Sequence, residues 1–364
     1  MSGQSKSYVA GKSEDELRRE RALTDIIRIG SNENPIGPSP MAVKAMQKAS
    51  ENLHRYPPMT DDEIKAALSD SIGRTVTPEN LITGNGACDI LSMIASAILG
   101  KGTECIICRP TFPVYESMAR RMGANVIFAD LDESFFAYDV VGILRAVSEK
   151  TRIIHICNPN NPTGSIFSSK QLDELLDGLP NHVLVVADEV YHHFNTDGEF
   201  PATISQVLAG KNVIVVHSFS KAYGMAGARL GYGIASPDMV NTISKFRLPF
   251  HINNVTLQGG LAALRDTGYL RAAINTVASG RRWLYSQLVE LGAQVWPSQA
   301  NFLLFKTSAP ADELCNTLLS HGIIIRPMDS FYLPGFLRVS VGLQAENERF
   351  IDVLREILAA NPTD

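Results

Sequence analysis

The chain has 364 residues, of which 45% are hydrophobic and 20% charged, so it can bury a large core and divide into a major and a minor domain. A formal charge of −5 with no long basic block argues against nucleic acid as a partner. The longest strongly apolar stretch, 90–99, contains Ser92 and Ser96 and is too short to span a bilayer, which argues against a membrane partner as well.

Residues 1–30 read as a polar arm with a short helix over 13–23 and no hydrophobic signal core, so a cytoplasmic location is the default expectation. The turn-rich segment Ser31-Asn32-Glu33-Asn34-Pro35-Ile36-Gly37-Pro38 leads into a helix over 41–49. From about 80 to 235, compact apolar segments alternate with amphipathic ones. A strand near 82–84 precedes a helical run over 89–99, and further strands are expected at 104–108, 125–129, 152–157, 183–187 and 213–217. Several of these are apolar throughout, as suits strands covered by helices on both faces, and the reading is an α/β core with a mainly parallel sheet. Helices follow from 254 to 263 and from 270 to 291. The last part changes character, with strands at 300–305, 322–325 and 336–341 and helices at 311–320 and 345–359, a smaller α+β domain.

Five cysteines make no disulfide framework. Cys105 and Cys108 have metal-ligand spacing, but residues three apart on a strand point to opposite faces, so they read as structural and no metal is expected. His192 and His193 also lack a convincing set of partner ligands.

Three segments carry chemistry: Asn158-Pro159-Asn160-Asn161-Pro162-Thr163-Gly164, Ala187-Asp188-Glu189-Val190-Tyr191, and Ser218-Phe219-Ser220-Lys221, with Arg229 eight residues beyond the lysine. A lysine beside two hydroxyls and an arginine is what a phosphorylated aldehyde needs: an amine to bond the aldehyde carbon, and donors for the dianion. Pyridoxal phosphate is the leading cofactor. Lys221 would hold it and then move a proton at the substrate α-carbon. Ser218, Ser220 and Arg229 suit its phosphate. Gly86, Ala87 and Cys88, at a helix start, add backbone N–H groups. Asp188, closing an apolar strand, is the candidate partner of the pyridine nitrogen. Asn161 and Tyr191 are candidate donors to the ring 3′-oxygen, while Phe112 and Tyr115 are candidates to cover the ring. Arg338 interrupts an apolar strand, which calls for a partner: a substrate α-carboxylate or a structural salt bridge.

Nearly end to end, these motifs resemble the fold-type I enzymes, specifically the histidinol-phosphate aminotransferase group of the class I/II aminotransferases. The resemblance implies a large domain with a mainly parallel seven-stranded sheet over 31–255. It implies a smaller α+β domain over 256–364, packed with part of the N-terminal segment. It also implies roles: Lys221 as the lysine bonded to pyridoxal phosphate, Asp188 on the ring nitrogen, Asn161 and Tyr191 on the 3′-oxygen, and Tyr115 stacked on the ring. Ala87, Cys88, Ser218, Ser220 and Arg229 would bind the phosphate, joined by Tyr56 from the other subunit of a homodimer. Arg338 and Asn161 would meet the substrate, Arg326 the phosphate of histidinol phosphate, and Tyr8 an arm closing the neighbouring pocket. The implied reaction passes an amino group from histidinol phosphate to 2-oxoglutarate by a ping-pong route. An aromatic amino acid aminotransferase, or a relative using the same cofactor for cyclisation, elimination or decarboxylation, are the alternatives. Ala87-Cys88-Asp89 stands where the group usually has Ser-Asp-Glu, His193 replaces a common glutamate, and His251 a usual asparagine. The stretch Asp329-Ser330-Phe331-Tyr332-Leu333-Pro334 is richer in aromatic residues than the group's pattern.

Overall fold

The computed structural model describes residues 14–21, 23 and 25–360. Its strands are β1 (Ile27–Arg28), β2 (Leu81–Gly84), β3 (Glu104–Ile107), β4 (Asn125–Phe128), β5 (Thr151–Cys157), β6 (Leu184–Asp188) and β7 (Val213–Ser218). Then come β8 (Gly231–Ile234), β9 (Gln294–Trp296), β10 (Phe302–Lys306), β11 (Ile323–Ile324), β12 (Arg326–Pro327) and β13 (Leu337–Ser340). Seven of them form one sheet in the order β2-β8-β7-β6-β5-β3-β4. Within it β8 alone runs against its neighbours; the other pairs are parallel.

Apolar residues on successive positions of a strand serve two different cores. Ile154 and Ile156 of β5, with Val185 and Ala187 of β6, join one cluster, which includes Leu172 and Leu175 of the helix Ser169–Gly178. Ile153, Leu184 and Val186 join the other, against Ile90, Leu91 and Ile94 of the helix Ala87–Ile98. Cys108 belongs to the first cluster and Cys105 to the second, so the two thiols face opposite ways, and both are free. Helix starts are set locally. Ser168 and Gln171 form a reciprocal capping box, and the Asn253 side chain accepts from Thr256 N–H to start Asn254–Arg265.

The strand β8 is not announced by its sequence, Gly-Tyr-Gly-Ile, which lacks an apolar run. Its glycines answer to tertiary contact: a Cβ at Gly231 would lie 2.5 Å from the Ala87 backbone nitrogen.

The C-terminal part holds a second, antiparallel sheet in the order β12-β13-β10-β9. The helices Thr267–Glu290, Ala311–Ser320 and Gln344–Ala360 bury Val277, Leu314, Phe350 and Leu354 in a core of its own. The single strand expected over 322–325 is in fact two. β11 pairs in parallel with β1, and the chain then changes partner at Ile325, so that β12 pairs with β13. Residues 27–28 are thereby tied to this C-terminal part. Among the described residues no helix is long and apolar enough to cross a membrane.

Candidate active site

Strands β5 and β6 end level with one another, Cys157 opposite Asp188, while β7 runs two residues further, from Val216 opposite Asp188 to Ser218. A cavity of about 200 Å³ opens at these ends, where ligands sit in open α/β sheets. Asp188 lines it and is 3% exposed. The Tyr115 hydroxyl donates to one carboxylate oxygen at 2.6 Å, and the Val190 N–H to the other at 3.4 Å. Neither donor carries charge, and burial lifts the acid from its usual 3.8 to about 6. Lys221 lines the same cavity, its Nζ 3.2 Å from the Asn32 carbonyl oxygen. Burial, reinforced by the Arg338 charge, lowers it from 10.5 to about 8, which brings the neutral amine into reach near physiological pH. An acid and a lysine strained in opposite directions beside one cavity mark a site where charge is to be supplied from outside.

One corner of the cavity is built for an anion. Gly86, at φ 82°, precedes the helix Ala87–Ile98, and no side chain caps that helix start. A Cβ at Gly86 would stand 2.5 Å from the Arg229 guanidinium, so only glycine lets the arginine close over the helix end. Arg229 Nη1 donates to Ser220 Oγ at 3.3 Å, and Ser218 Oγ accepts from Ser220 N–H at 3.1 Å. Ala87 and Cys88 contribute backbone there; burial, with Asp188 nearby, pushes the Cys88 thiol up and keeps it neutral. Helix N–H groups, two hydroxyls and a guanidinium form a donor set for a phosphate dianion.

The opposite side comes from the second sheet. Arg326 on β12 and Arg338 on β13 are directly paired in register and both line the cavity. Directly opposed residues of antiparallel strands share a face, which sets two guanidinium groups side by side. Arg338 donates to Asn161 Oδ1 at 2.5 Å and to the Gly30 carbonyl at 2.8 Å, so the Asn161 carbonyl is engaged and its NH₂ is the donor end. The Phe331 ring centre lies 5.9 Å from the Arg326 guanidinium carbon and 5.6 Å from that of Arg338.

The structure thus brings together Lys221, Asp188, Tyr191, Asn161, Ala87, Cys88, Ser218, Ser220, Arg229, Arg326 and Arg338. Tyr115 also lines the cavity, held from within the core. Its ring is wholly buried and stacked on His155, centroids 4.5 Å apart, with its hydroxyl on Asp188. Its hydroxyl buttresses the acid from within the cavity wall, which it shares with partly exposed Phe112, whose ring it meets edge-on. Tyr56 lies outside the cavity, 82% exposed and stacked on Phe250. Tyr8 lies outside the described residues. The sequence reading missed Asn32 and Phe331 as cavity residues. Asn32 was hidden in a segment whose Asn, Gly and Pro already explained themselves as a turn; the aromatic richness of 329–334 was the one signal for Phe331.

Behind Asp188, on the far side of β6, Glu189 accepts from Thr203 at 2.5 Å, and burial lifts it to about 8. His192 stacks on His217 at 3.7 Å and lies 3.9 Å from His193, so these histidines pack against one another behind the strand ends. Burial lowers all three. His251 lies apart from the cavity, its Nε2 3.0 Å from the Thr83 carbonyl oxygen.

Comparison with known proteins agrees with this geometry. Residues 24–354 match the family model described as aminotransferase class I and II. The histidinol-phosphate aminotransferase of Moorella thermoacetica is 40% identical over 97% of this chain and 91% of its own length. That of Brevibacillus brevis is 35% identical over 96% of this chain and 95% of its own. The crystal structure of histidinol-phosphate aminotransferase from Sinorhizobium meliloti in complex with pyridoxal 5′-phosphate superposes with a TM-score of 0.87 at 26% identity, covering 97% of this chain and 96% of that one. Aspartate aminotransferase of Thermus thermophilus with maleate superposes with a TM-score of 0.82 at 25% identity, over 95% and 94% of the two chains. A likeness that runs through both sheets and both sides of the cavity makes this chain a member of the class I and II aminotransferases, in their histidinol-phosphate aminotransferase group.

Proposed function

We propose that the cavity binds pyridoxal phosphate and that the enzyme passes the amino group of histidinol phosphate to 2-oxoglutarate. The cofactor fits the residues present. Asp188, buried and hydrogen-bonded only to neutral donors, would accept the charge of a protonated pyridine nitrogen, and the Gly86–Arg229 corner would accept the phosphate. When bound, pyridoxal phosphate supplies an aldehyde carbon that bonds to amines and a ring that draws electrons from the carbon next to them. Lys221 would hold that aldehyde carbon between turnovers. With its amine free, Lys221 Nζ would take the proton from the donor α-carbon. Tyr191, whose hydroxyl is pushed up by burial, keeps its proton and serves as a donor. Asn161 offers its NH₂, and Phe112 covers the ring.

The observation that carries the substrate assignment is the register of Arg326 opposite Arg338. Two adjacent guanidinium groups match the dianion of a phosphate monoester, where a single arginine is enough for an α-carboxylate. Histidinol phosphate has no carboxylate and offers its phosphate to that pair. In the return half-reaction Arg338 takes the α-carboxylate of glutamate or 2-oxoglutarate. The names of the relatives support the same donor.

A homodimer belongs to this reading. Tyr56 is exposed beside exposed Leu53, Met59, Leu248 and Phe250, an apolar surface next to the residue assigned to the other subunit's phosphate. The test is a donor panel of histidinol phosphate, phenylalanine, tyrosine and tryptophan with 2-oxoglutarate, reading the keto product and the cofactor form. Histidinol phosphate should have the highest kcat/KM. Preference for a phosphate-free aromatic donor would transfer the assignment to aromatic amino acids.

A further inference from the structure

Asn32 is 1% exposed and stands at φ 55° in the loop after β1. Its backbone carbonyl accepts from Lys221 Nζ at 3.2 Å and from Asn301 Nδ2 at 3.1 Å. Its backbone N–H donates to Ser340 Oγ at 2.8 Å, and that hydroxyl donates in turn to Asn32 Oδ1 at 3.0 Å. Ser340 therefore fixes which end of the amide faces which way: the oxygen is taken, and Nδ2 points to the Tyr191 hydroxyl at 3.0 Å. A tyrosine oxygen that accepts there must send its own hydrogen elsewhere. Lys221 Nζ lies 5.3 Å from the centre of the same tyrosine ring. One buried residue thus touches both the lysine and the tyrosine, and is itself held by a strand of the second sheet.

We propose that Asn32 is a positioning residue that turns the Tyr191 hydroxyl proton toward the 3′-oxygen of bound cofactor while its carbonyl holds Lys221 Nζ at the cavity. This rests on the pyridoxal phosphate reading. A donor on the 3′-oxygen competes for that oxygen with the proton on the adjacent nitrogen supplied by Lys221. It therefore lowers the pH at which the bound cofactor's visible band changes, and losing it raises that midpoint. Ser340 lies two residues beyond Arg338 on β13, so the strand that meets the substrate anion also orients the tyrosine.

The experiment is a spectroscopic pH titration of the loaded enzyme without substrate. Asn32→Gly tolerates the positive φ and deletes only the amide. Its midpoint should rise by about 0.5 to 1 unit, the scale of one neutral hydrogen bond. In a Tyr191→Phe background the same change should move the midpoint little, because the group it orients is gone. Equal shifts in both backgrounds, or none in either, would overturn the inference by making Asn32 a loop residue only. If Asn32→Gly does not fold, Ser340→Ala reads the same quantity. It should shift the midpoint in the same direction by less, and an unchanged midpoint overturns the proposal. Failure of the cofactor reading looks different: the unmodified protein would then develop no visible band on adding pyridoxal phosphate.

Discussion

The two sides of the cavity are built differently. The cofactor side is assembled from the ends of three parallel strands and one helix start, and its key groups come from short contiguous segments around 86–88, 188–191 and 218–229. The anion-facing side joins residues about three hundred positions apart, with Gly30 and Asn32 of the N-terminal segment bonded to Arg338 and Ser340 of β13. The first side sets protonation by burial, as with Asp188 and Lys221. The second sets charge geometry by strand register, as with Arg326 and Arg338. In the reading proposed above, the cofactor chemistry sits on the large sheet and the substrate anion on the second, and Asn32 joins the two through Lys221, Tyr191 and Ser340.

The largest effect should come from the cofactor side. Lys221→Ala removes both the anchoring amine and the proton carrier, and turnover should fall by at least about 10³-fold. Ordinary turnover in that variant would end the assignment. In the unmodified protein, capture of added pyridoxal phosphate should quicken as pH rises toward about 8 and level off above it, because the neutral amine is the nucleophile and Lys221 is lowered to about 8. A rate still climbing steeply beyond pH 9 would mean an ordinary, solvated lysine.

On the other side, Arg326→Ala should lower kcat/KM for histidinol phosphate between about tenfold and a hundredfold, as expected for lost charge-assisted hydrogen bonds. Phosphate-free amines should lose less. Equal loss on both would break the division of labour drawn above and make Arg326 a structural residue.

Asp188→Asn separates stability from function on the cofactor side. The folded acid sits at about 6 against a usual 3.8, so between those values the folded state holds the extra proton and stability falls as pH rises. At pH 7 the full cost, about 2 to 3 kcal/mol, is present in the cofactor-free protein. The asparagine variant should then be the more stable of the two cofactor-free proteins at pH 7, with the advantage gone near pH 4, while it retains pyridoxal phosphate poorly. Thermal unfolding at the two pH values checks this; a variant less stable at both would show that the carboxylate is already compensated.

The smallest effect is expected at Tyr56. Its substitution by Phe should weaken cofactor retention about fivefold, the scale of one hydrogen bond, measured by equilibrium dialysis at a concentration that keeps subunits together. Unchanged affinity would remove Tyr56 from the phosphate.

Much of the cofactor side was legible because its chemistry is local in sequence. Lysine, serines and arginine fall within twelve residues, and Asp188 closes an apolar strand that announces itself. Tyr115 shows the limit. The motif placed two aromatic residues at the site, but that Tyr115 is stacked on His155 of another strand and bonded to Asp188, while Phe112 is left partly exposed, depends on contacts between distant segments. The swap of partners between β11 and β12 was equally hidden, since the sequence reads as one strand over 322–325 and gives no sign of the second pairing at 326–327.

By itself, the sequence determined the alternation of strands and helices and singled out Lys221, Asp188, Ser218, Ser220 and Arg229 as candidates for one site, because periodicity and short motifs are properties of neighbouring residues. Only the tertiary structure decided that Gly-Tyr-Gly-Ile at 231–234 is a strand, that Arg326 stands opposite Arg338, and that Asn32 reaches Tyr191 and Lys221 together. Those outcomes depend on close approach and strand register between distant segments, which no local pattern encodes.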